Sequence, residues 1–342
     1  MNGRERVRLV IEGKLPDRVP VWAQLSSGYI LRNSDLGTME TLDFLELARA
    51  ELRLHEEYGF DGVFVSMSAP YLEYEPGQPW QGFPAGEVRS LESVEPGDWP
   101  PLQTKVTDEW AAPYDLVRGD YRETHHIAGW VLDSFSLASV WLGSVQQALL
   151  ETMDRPERFQ RLAEYLDQLN LATVRALATR ARVDSVCISS PYAGSSFISR
   201  KQYQQLVAPS VSRIAAAARK AGLYSYLHNC GFTGDRLELQ ADTGVDGIEC
   251  FDPPPVGDVE LSDAKRRIGH RVFLKGNLDS VNVLYRGTDE EVEREIIRQL
   301  EVGKVGGRYM LSSACSVAPE VPPARVRLLV ELAERYGRYD AS

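Results

Sequence analysis

The chain has 342 residues, 43% hydrophobic and 25% charged, which suits a globular fold of one large barrel or two ordinary domains. A formal net charge of −11 sets the surface against polyanions, so neither nucleic acid nor an anionic membrane is an expected partner. No apolar run approaches the roughly 18 residues of a membrane helix, and the opening MNGRERVRLVIEGKLPDR lacks the apolar stretch and cleavage site of a secretory signal. A cytoplasmic location is therefore expected, and there Cys187, Cys230, Cys250 and Cys315 are free thiols or metal ligands before they are disulfides.

Taken in chain order, the opening residues read as a short amphipathic helix. Short apolar, β-rich runs then fall at 18–24, 61–67, 130–135, 184–190, 223–230, 246–252, 271–277 and 309–315. Runs with apolar residues at three- and four-residue spacing separate many of them, most clearly at 41–58, 156–182, 200–220, 289–303 and 323–336. Alternating strands and helices imply a mostly parallel sheet, and eight strands suit a closed (β/α)8 TIM barrel. The competing open sheet loses ground because no GxGxxG follows the first strand and no GxxxxGK(S/T) occurs. Residues 68–128, rich in Pro, Gly, Trp and Tyr, read as a loop-rich insertion over the barrel's C-terminal mouth, within a single domain spanning 1–342.

The chemistry concentrates in the second half. His228 and Cys230 stand one residue apart at the end of the strand LYSYL, so both point the same way. A lone His-x-Cys is a weak pattern. Here, however, the next strand ends in Glu249 and the last ends in Cys315, and the C-terminal ends of parallel barrel strands converge on one mouth. Two thiolates, an imidazole and a carboxylate form a tetrahedral set suited to zinc. The plainer readings are a packed Cys315 and a solvated Glu249. Strand alternation turns Cys250 away from Glu249, which assigns it to the core, and Cys187 inside an apolar strand joins it. Thiolate-rich zinc suits methyl transfer, because it deprotonates a substrate thiol yet leaves it nucleophilic, provided one position can exchange. Glu249 is the expected leaving ligand.

Lesser candidates are Asn277 and Tyr192, at or after strand ends, as substrate or supporting groups, with Lys275 on the same side as Asn277. The pair His125-His126 is a further candidate for the site. Aromatic residues crowd the front half (Trp22, Tyr29, Tyr71, Trp80, Phe83, Trp110, Tyr114, Trp130), as pocket walls or as core and loop anchors.

At these residues the chain resembles the uroporphyrinogen decarboxylase superfamily, and specifically its zinc methyltransferase branch, which includes methylcobalamin:coenzyme M methyltransferases. The resemblance is carried by RERVRLVIEGKLPDRVPVW (4–22), by the stretch 226–279 from YLHNCGF to LKGNLD, and by GTDEEVEREI (287–296) with GGRYMLSSACSVAPEVPPARV (306–326). The metal site of cobalamin-independent methionine synthase is similar: His-x-Cys, a Glu some way on, and a far Cys. The resemblance implies a (β/α)8 barrel, zinc held by His228, Cys230, Glu249 and Cys315, and transfer of a methyl group. The partners it implies are a corrinoid (methylcobalamin or cob(I)alamin) and a thiol or a methyl-bearing heteroatom such as an aryl ether oxygen. No DxHxxG is present, so the corrinoid arrives free or on a separate corrinoid protein. The alternative is a metal-free decarboxylase or lyase. It is weakened because Ala23 to Tyr29 lack the arginines that grip propionates, and because Met67 falls where that branch keeps a catalytic aspartate. A third reading, a non-catalytic protein with structural zinc, fits a carboxylate ligand poorly.

Overall fold

The computed structural model describes residues 1–36, 43–65, 108–117 and 119–339. Among them, parallel strands β1 (Gly62–Phe64), β2 (His126–Leu132), β3 (Ser185–Ser189), β4 (Tyr224–Asn229), β5 (Gly247–Cys250), β6 (Phe273–Leu278) and β7 (Tyr309–Ser313) lie side by side in chain order. The segment 18–25 joins the two edges of this sheet. Trp22 N–H donates to the Leu311 carbonyl (3.0 Å) and Leu311 N–H to that of Pro20 (2.9 Å), while Asp61 N–H donates to Val21 (2.8 Å). The run expected as the first strand thus takes the eighth stave of a TIM barrel, held by isolated bridges.

Helices Phe44–Tyr58, Pro156–Ala176, Ala208–Lys220, Asp289–Lys304 and Pro323–Tyr336 form the main outer layer and match the expected helical runs closely. Wide helical turns extend two of them, at Leu177–Ala181 and Tyr203–Val207. The expected strand at 130–135 is displaced. Asp133 accepts from the N–H groups of Phe135 (2.9 Å) and Ser136 (3.0 Å), and this N-cap starts a helix at Ser134 and ends β2 at Leu132. Of the stretch 68–128, expected as an insertion, only the last part is described. Residues 108–116 and 120–124 are helical and β2 begins at His126, while Met67 and 68–107 lie outside the described residues.

Side chains on the strands follow the two-residue period. Trp22, Phe64, Ala128, Cys187, Tyr226, Phe273 and Met310 fill the barrel's interior, and Val7, Val10 and Ile11 of the helix Gly3–Ile11 close it from below. Large and small residues alternate there: a Cβ on Gly247 would sit 2.2 Å from the Phe273 ring. At the same lower end Asp61, buried, accepts from Arg6 Nη1 (2.5 Å), Arg18 Nη1 (2.8 Å) and the N–H of Val21 (2.7 Å). Among the described residues no helix is long and apolar enough to cross a membrane.

Candidate metal centre

The interior period continues upward. Above Tyr226 stands His228, above Gly247 stands Glu249, and above Phe273 stands Lys275. Strand pairing sets His228 opposite Glu249 and Glu249 opposite Lys275, so three polar side chains form one row across β4, β5 and β6. His228 is the link to the mouth. Its Nδ1 lies 2.8 Å from Glu249 Oε1 and its Nε2 lies 3.0 Å from Cys230 Sγ.

Cys230 follows β4 and Cys315 follows β7, and their sulfurs are 3.8 Å apart. Zinc–sulfur bonds of about 2.3 Å in a tetrahedron give a sulfur–sulfur edge of about 3.8 Å, so this pair fits the ion. Cys315 Sγ is also 4.0 Å from His228 Nε2. The fourth member of the cluster is Cys250: the donor atoms of His228, Cys230, Cys250 and Cys315 all lie within 4.8 Å of one another. Sequence reasoning places Cys250 in the core, and it is fully buried, but its sulfur also joins this cluster. Cys250 and Phe251 take φ of 76° and 35°, so the chain turns left-handed where β5 ends and strand alternation no longer applies. Sulfur and carboxylate of consecutive residues then serve one site. The missed signal is Pro253-Pro254-Pro255, which ends the strand pattern just beyond.

Glu249 occupies a different place from the expected ligand position. Its Oε1 meets His228 Nδ1 and, at 3.6 Å, Cys187 Sγ; its Oε2 is ion-paired with Lys275 Nζ. Both oxygens face protein groups, and the fourth corner of the donor cluster belongs to Cys250. Cys187 is buried in the interior as expected.

The electrostatics follow from these contacts. Burial opposes the charge on Glu249, but Lys275 and His228 outweigh it and hold the carboxyl at about 2. Burial also works against a charged His228, yet the Cys230 charge and hydrogen bonds to Cys230, Cys315 and Glu249 raise it well above the usual histidine range. Hydrogen bonds with Cys230 and Cys250 hold Cys315 well below the usual thiol range, making it the readiest thiolate.

Loops hold the cluster. Asp252 accepts from Gly231 N–H (2.6 Å) and from the Cys250 thiol (3.4 Å), tying the turn after β4 to the turn after β5. Asp252 is a supporting residue that sequence reasoning missed. Asn277, expected as a substrate or supporting group, is fully buried, with Nδ2 donating to the carbonyls of Phe251 (3.0 Å) and Val259 (2.8 Å). Lys275 points inward while Asn277 points outward to Gln299 (3.2 Å), because Gly276 between them, at φ 144°, shifts the alternation. Tyr192 lies half-buried in the loop after β3, against Phe197. That loop abuts the site, since a Cβ on Gly194 would lie 2.8 Å from the Cys230 carbonyl oxygen. The His125-His126 pair does not reach the mouth: His126 begins β2 at the barrel's lower end and bonds Ser185 Oγ at 2.9 Å. Trp22, Tyr29, Trp110 and Tyr114 are core, and Tyr71, Trp80 and Phe83 lie outside the described residues.

The uroporphyrinogen decarboxylase (URO-D) family model matches residues 2–336. The chain belongs to the URO-D family. Within it, the chain is 29% identical over 221 residues to the methylcobamide:CoM methyltransferase MtbA of Methanosarcina acetivorans, an alignment covering 65% of this chain and 61% of that protein. The URO-D chain thus spans less than two thirds of that relative's length. It is 24% identical over 351 residues to the methylcobamide:CoM methyltransferase MtaA of Methanosarcina barkeri, covering 97% of this chain and 98% of that one. A solved methyltransferase from Methanosarcina mazei shares the fold with a TM-score of 0.78 at 21% identity, over 98% of this chain and 99% of that chain.

Proposed function

We propose that this URO-D member is a zinc-dependent enzyme moving a methyl group between a corrinoid, free or on a separate protein, and a thiol or methyl-bearing heteroatom substrate. The observation that carries the reading is the imidazole and three-sulfur cluster at the barrel mouth, in a chain whose relatives include methylcobamide:CoM methyltransferases. His228, Cys230 and Cys315 would hold the ion, with Cys250 in reach as a further sulfur. Zinc, when bound, supplies a positive charge that deprotonates an incoming thiol or polarises a methyl-bearing heteroatom, while thiolate ligands preserve nucleophilicity.

The chain's own residues prepare the site. Glu249 accepts the Nδ1 proton of His228 and so turns Nε2 toward the sulfurs. Asp252 keeps the Cys230 and Cys250 turns together. Tyr192 stands beside the same mouth for a substrate contact, and Asn277 acts through the Phe251 turn. Exposed Phe197, Phe232, Val256 and Tyr285, in the loops after β3, β4, β5 and β6, give the mouth an apolar rim suited to a docked corrinoid protein.

The test is the zinc content of purified protein, wild type beside Cys315→Ser, followed by assays of methylcobalamin with thiols and of cob(I)alamin with aryl methyl ethers. About one zinc per chain, lost in the variant with circular dichroism unchanged, together with methyl transfer, supports the proposal. A wild type that binds no zinc when supplied sinks it and returns the chain to a metal-free decarboxylase or lyase.

A further inference from the structure

A lysine and a glutamate sit deep in a barrel interior otherwise filled by Trp22, Phe64, Tyr226, Phe273 and Met310. The side chains of Lys275 and Glu249 are 3% and 4% exposed. Lys275 Nζ lies 4.8 Å from the Trp22 ring centroid and 5.8 Å from that of Tyr226, so aromatic faces surround the ammonium. Such a pair adds little stability over apolar residues of the same size, because desolvation offsets the attraction. Its position is more telling than its energy. It continues the row that ends in His228, and Lys275 takes the one Glu249 oxygen that His228 leaves.

We propose that Lys275 is a positioning residue that decides which atoms bind the metal: by holding Glu249 against His228 it keeps the carboxylate off the ion and leaves the fourth position to Cys250. The proposal rests on the zinc reading above. A free carboxylate beside His228 is a strong zinc ligand, and a Glu249 released from its partners could rotate toward the ion. With Oε2 tied to Lys275 and Oε1 to His228, that rotation breaks an ion pair and a hydrogen bond at once. A displaceable thiol then guards the substrate position in place of a displaceable carboxylate.

Zinc K-edge absorption of the zinc-loaded full chain tests this by counting sulfur neighbours. Wild type is expected to show one nitrogen and three sulfurs. Lys275→Met is expected to lose one sulfur and gain one oxygen. The near-isosteric double variant Glu249→Gln/Lys275→Met, which keeps an acceptor for His228 and has no carboxylate, is expected to return to three sulfurs. A carboxylate oxygen with two sulfurs in wild type overturns the inference while leaving the zinc reading intact, and so does Lys275→Met with an unchanged donor set. If Lys275→Met does not fold, the double variant decides: three sulfurs retained supports the proposal, and zinc lost or a sulfur missing overturns it. A wild type that takes up no zinc overturns both this inference and the proposed function.

Discussion

Asn277 Nδ2 donates to the carbonyl oxygen of Phe251 at 3.0 Å, so a side chain on β6 braces the left-handed turn that carries Cys250 toward His228. The same nitrogen holds the Val259 carbonyl at 2.8 Å, and a fully buried amide therefore spans the loop after β5 from its start to its end. Asn277→Ala leaves two carbonyls short of a donor. Each costs about 1–3 kcal/mol when buried, so unfolding in urea should show a loss on the order of 2–6 kcal/mol. Zinc affinity should fall by about 10- to 100-fold, as for other residues that orient ligands. Normal zinc affinity in a folded Asn277→Ala protein would show that the turn keeps its shape without this brace.

Gly257 is a second support for the cluster. A Cβ there would meet the Asp252 carbonyl oxygen at 2.2 Å and that of Gly231 at 2.6 Å, all of it backbone that cannot step aside cheaply. Gly257→Ala is expected to push residue 252 away from Gly231 and break the 2.6 Å bond between Gly231 N–H and Asp252. The expected result is about 1–3 kcal/mol of overpacking cost with weakened zinc retention, read by thermal melting and a chelator competition. Retention equal to wild type would mean that the two turns do not depend on this close approach.

At the barrel's other end, Asp61 sits between two arginines whose side chains are each 9% exposed. Asp61→Ala strands the Arg18 guanidinium and frees the Val21 N–H, on the segment that joins β7 to β1, while Arg6 keeps its bonds to Asp17. Breaking a buried pair from one side costs about 3–5 kcal/mol. Denaturant midpoints should show that loss. A change below about 1 kcal/mol would mean that water reaches this end and screens the charges.

Two buried histidines oppose folding in acid well before the ion-paired Asp17 and Glu249, each held at about 2, take up protons. Burial lowers His126 to about 4, with Asp184 opposing and Arg4 assisting, and burial lowers His55 to about 3. An unfolded histidine titrates near 6.5, so between about 6.5 and 4 the unfolded chain binds protons that the folded chain refuses. Each such histidine therefore lowers stability as pH falls through that window, by up to about 1.4 kcal/mol per pH unit, while Asp133, raised to about 6 by burial, acts in the opposite sense below that pH. The slope of unfolding free energy against pH, measured by urea titration, should flatten by nearly that amount in His126→Gln. An unchanged slope would show that His126 is not held neutral in the folded protein.

The barrel was largely legible in the chain because its signals are local. The runs at 184–190, 223–230, 246–252, 271–277 and 309–315 each fall on a strand, since strands buried on both faces show as short apolar, β-rich runs between turn signals. The helix expected at 289–303 forms over Asp289–Lys304, and a capping box of Thr288 and Glu291 fixes its start. β2 was read four residues late because the cap that ends it, Asp133, lies within an unbroken apolar pattern, and its two N–H bonds form only once the helix does.

What the sequence determined by itself is the stave-and-helix order and the convergence of His228, Cys230 and Cys315 on one mouth, because chain direction and strand period suffice to aim them. That the Cys250 sulfur meets the cluster while the Glu249 carboxylate sits behind His228 belongs to the tertiary structure alone. Strand alternation sends neighbouring residues to opposite faces, and it fails here where Asn277 and Lys275, both on β6, brace a left-handed turn on one side and anchor a carboxylate on the other. No local pattern at residues 246–252 encodes those contacts, since each partner is brought in by the closing of the barrel.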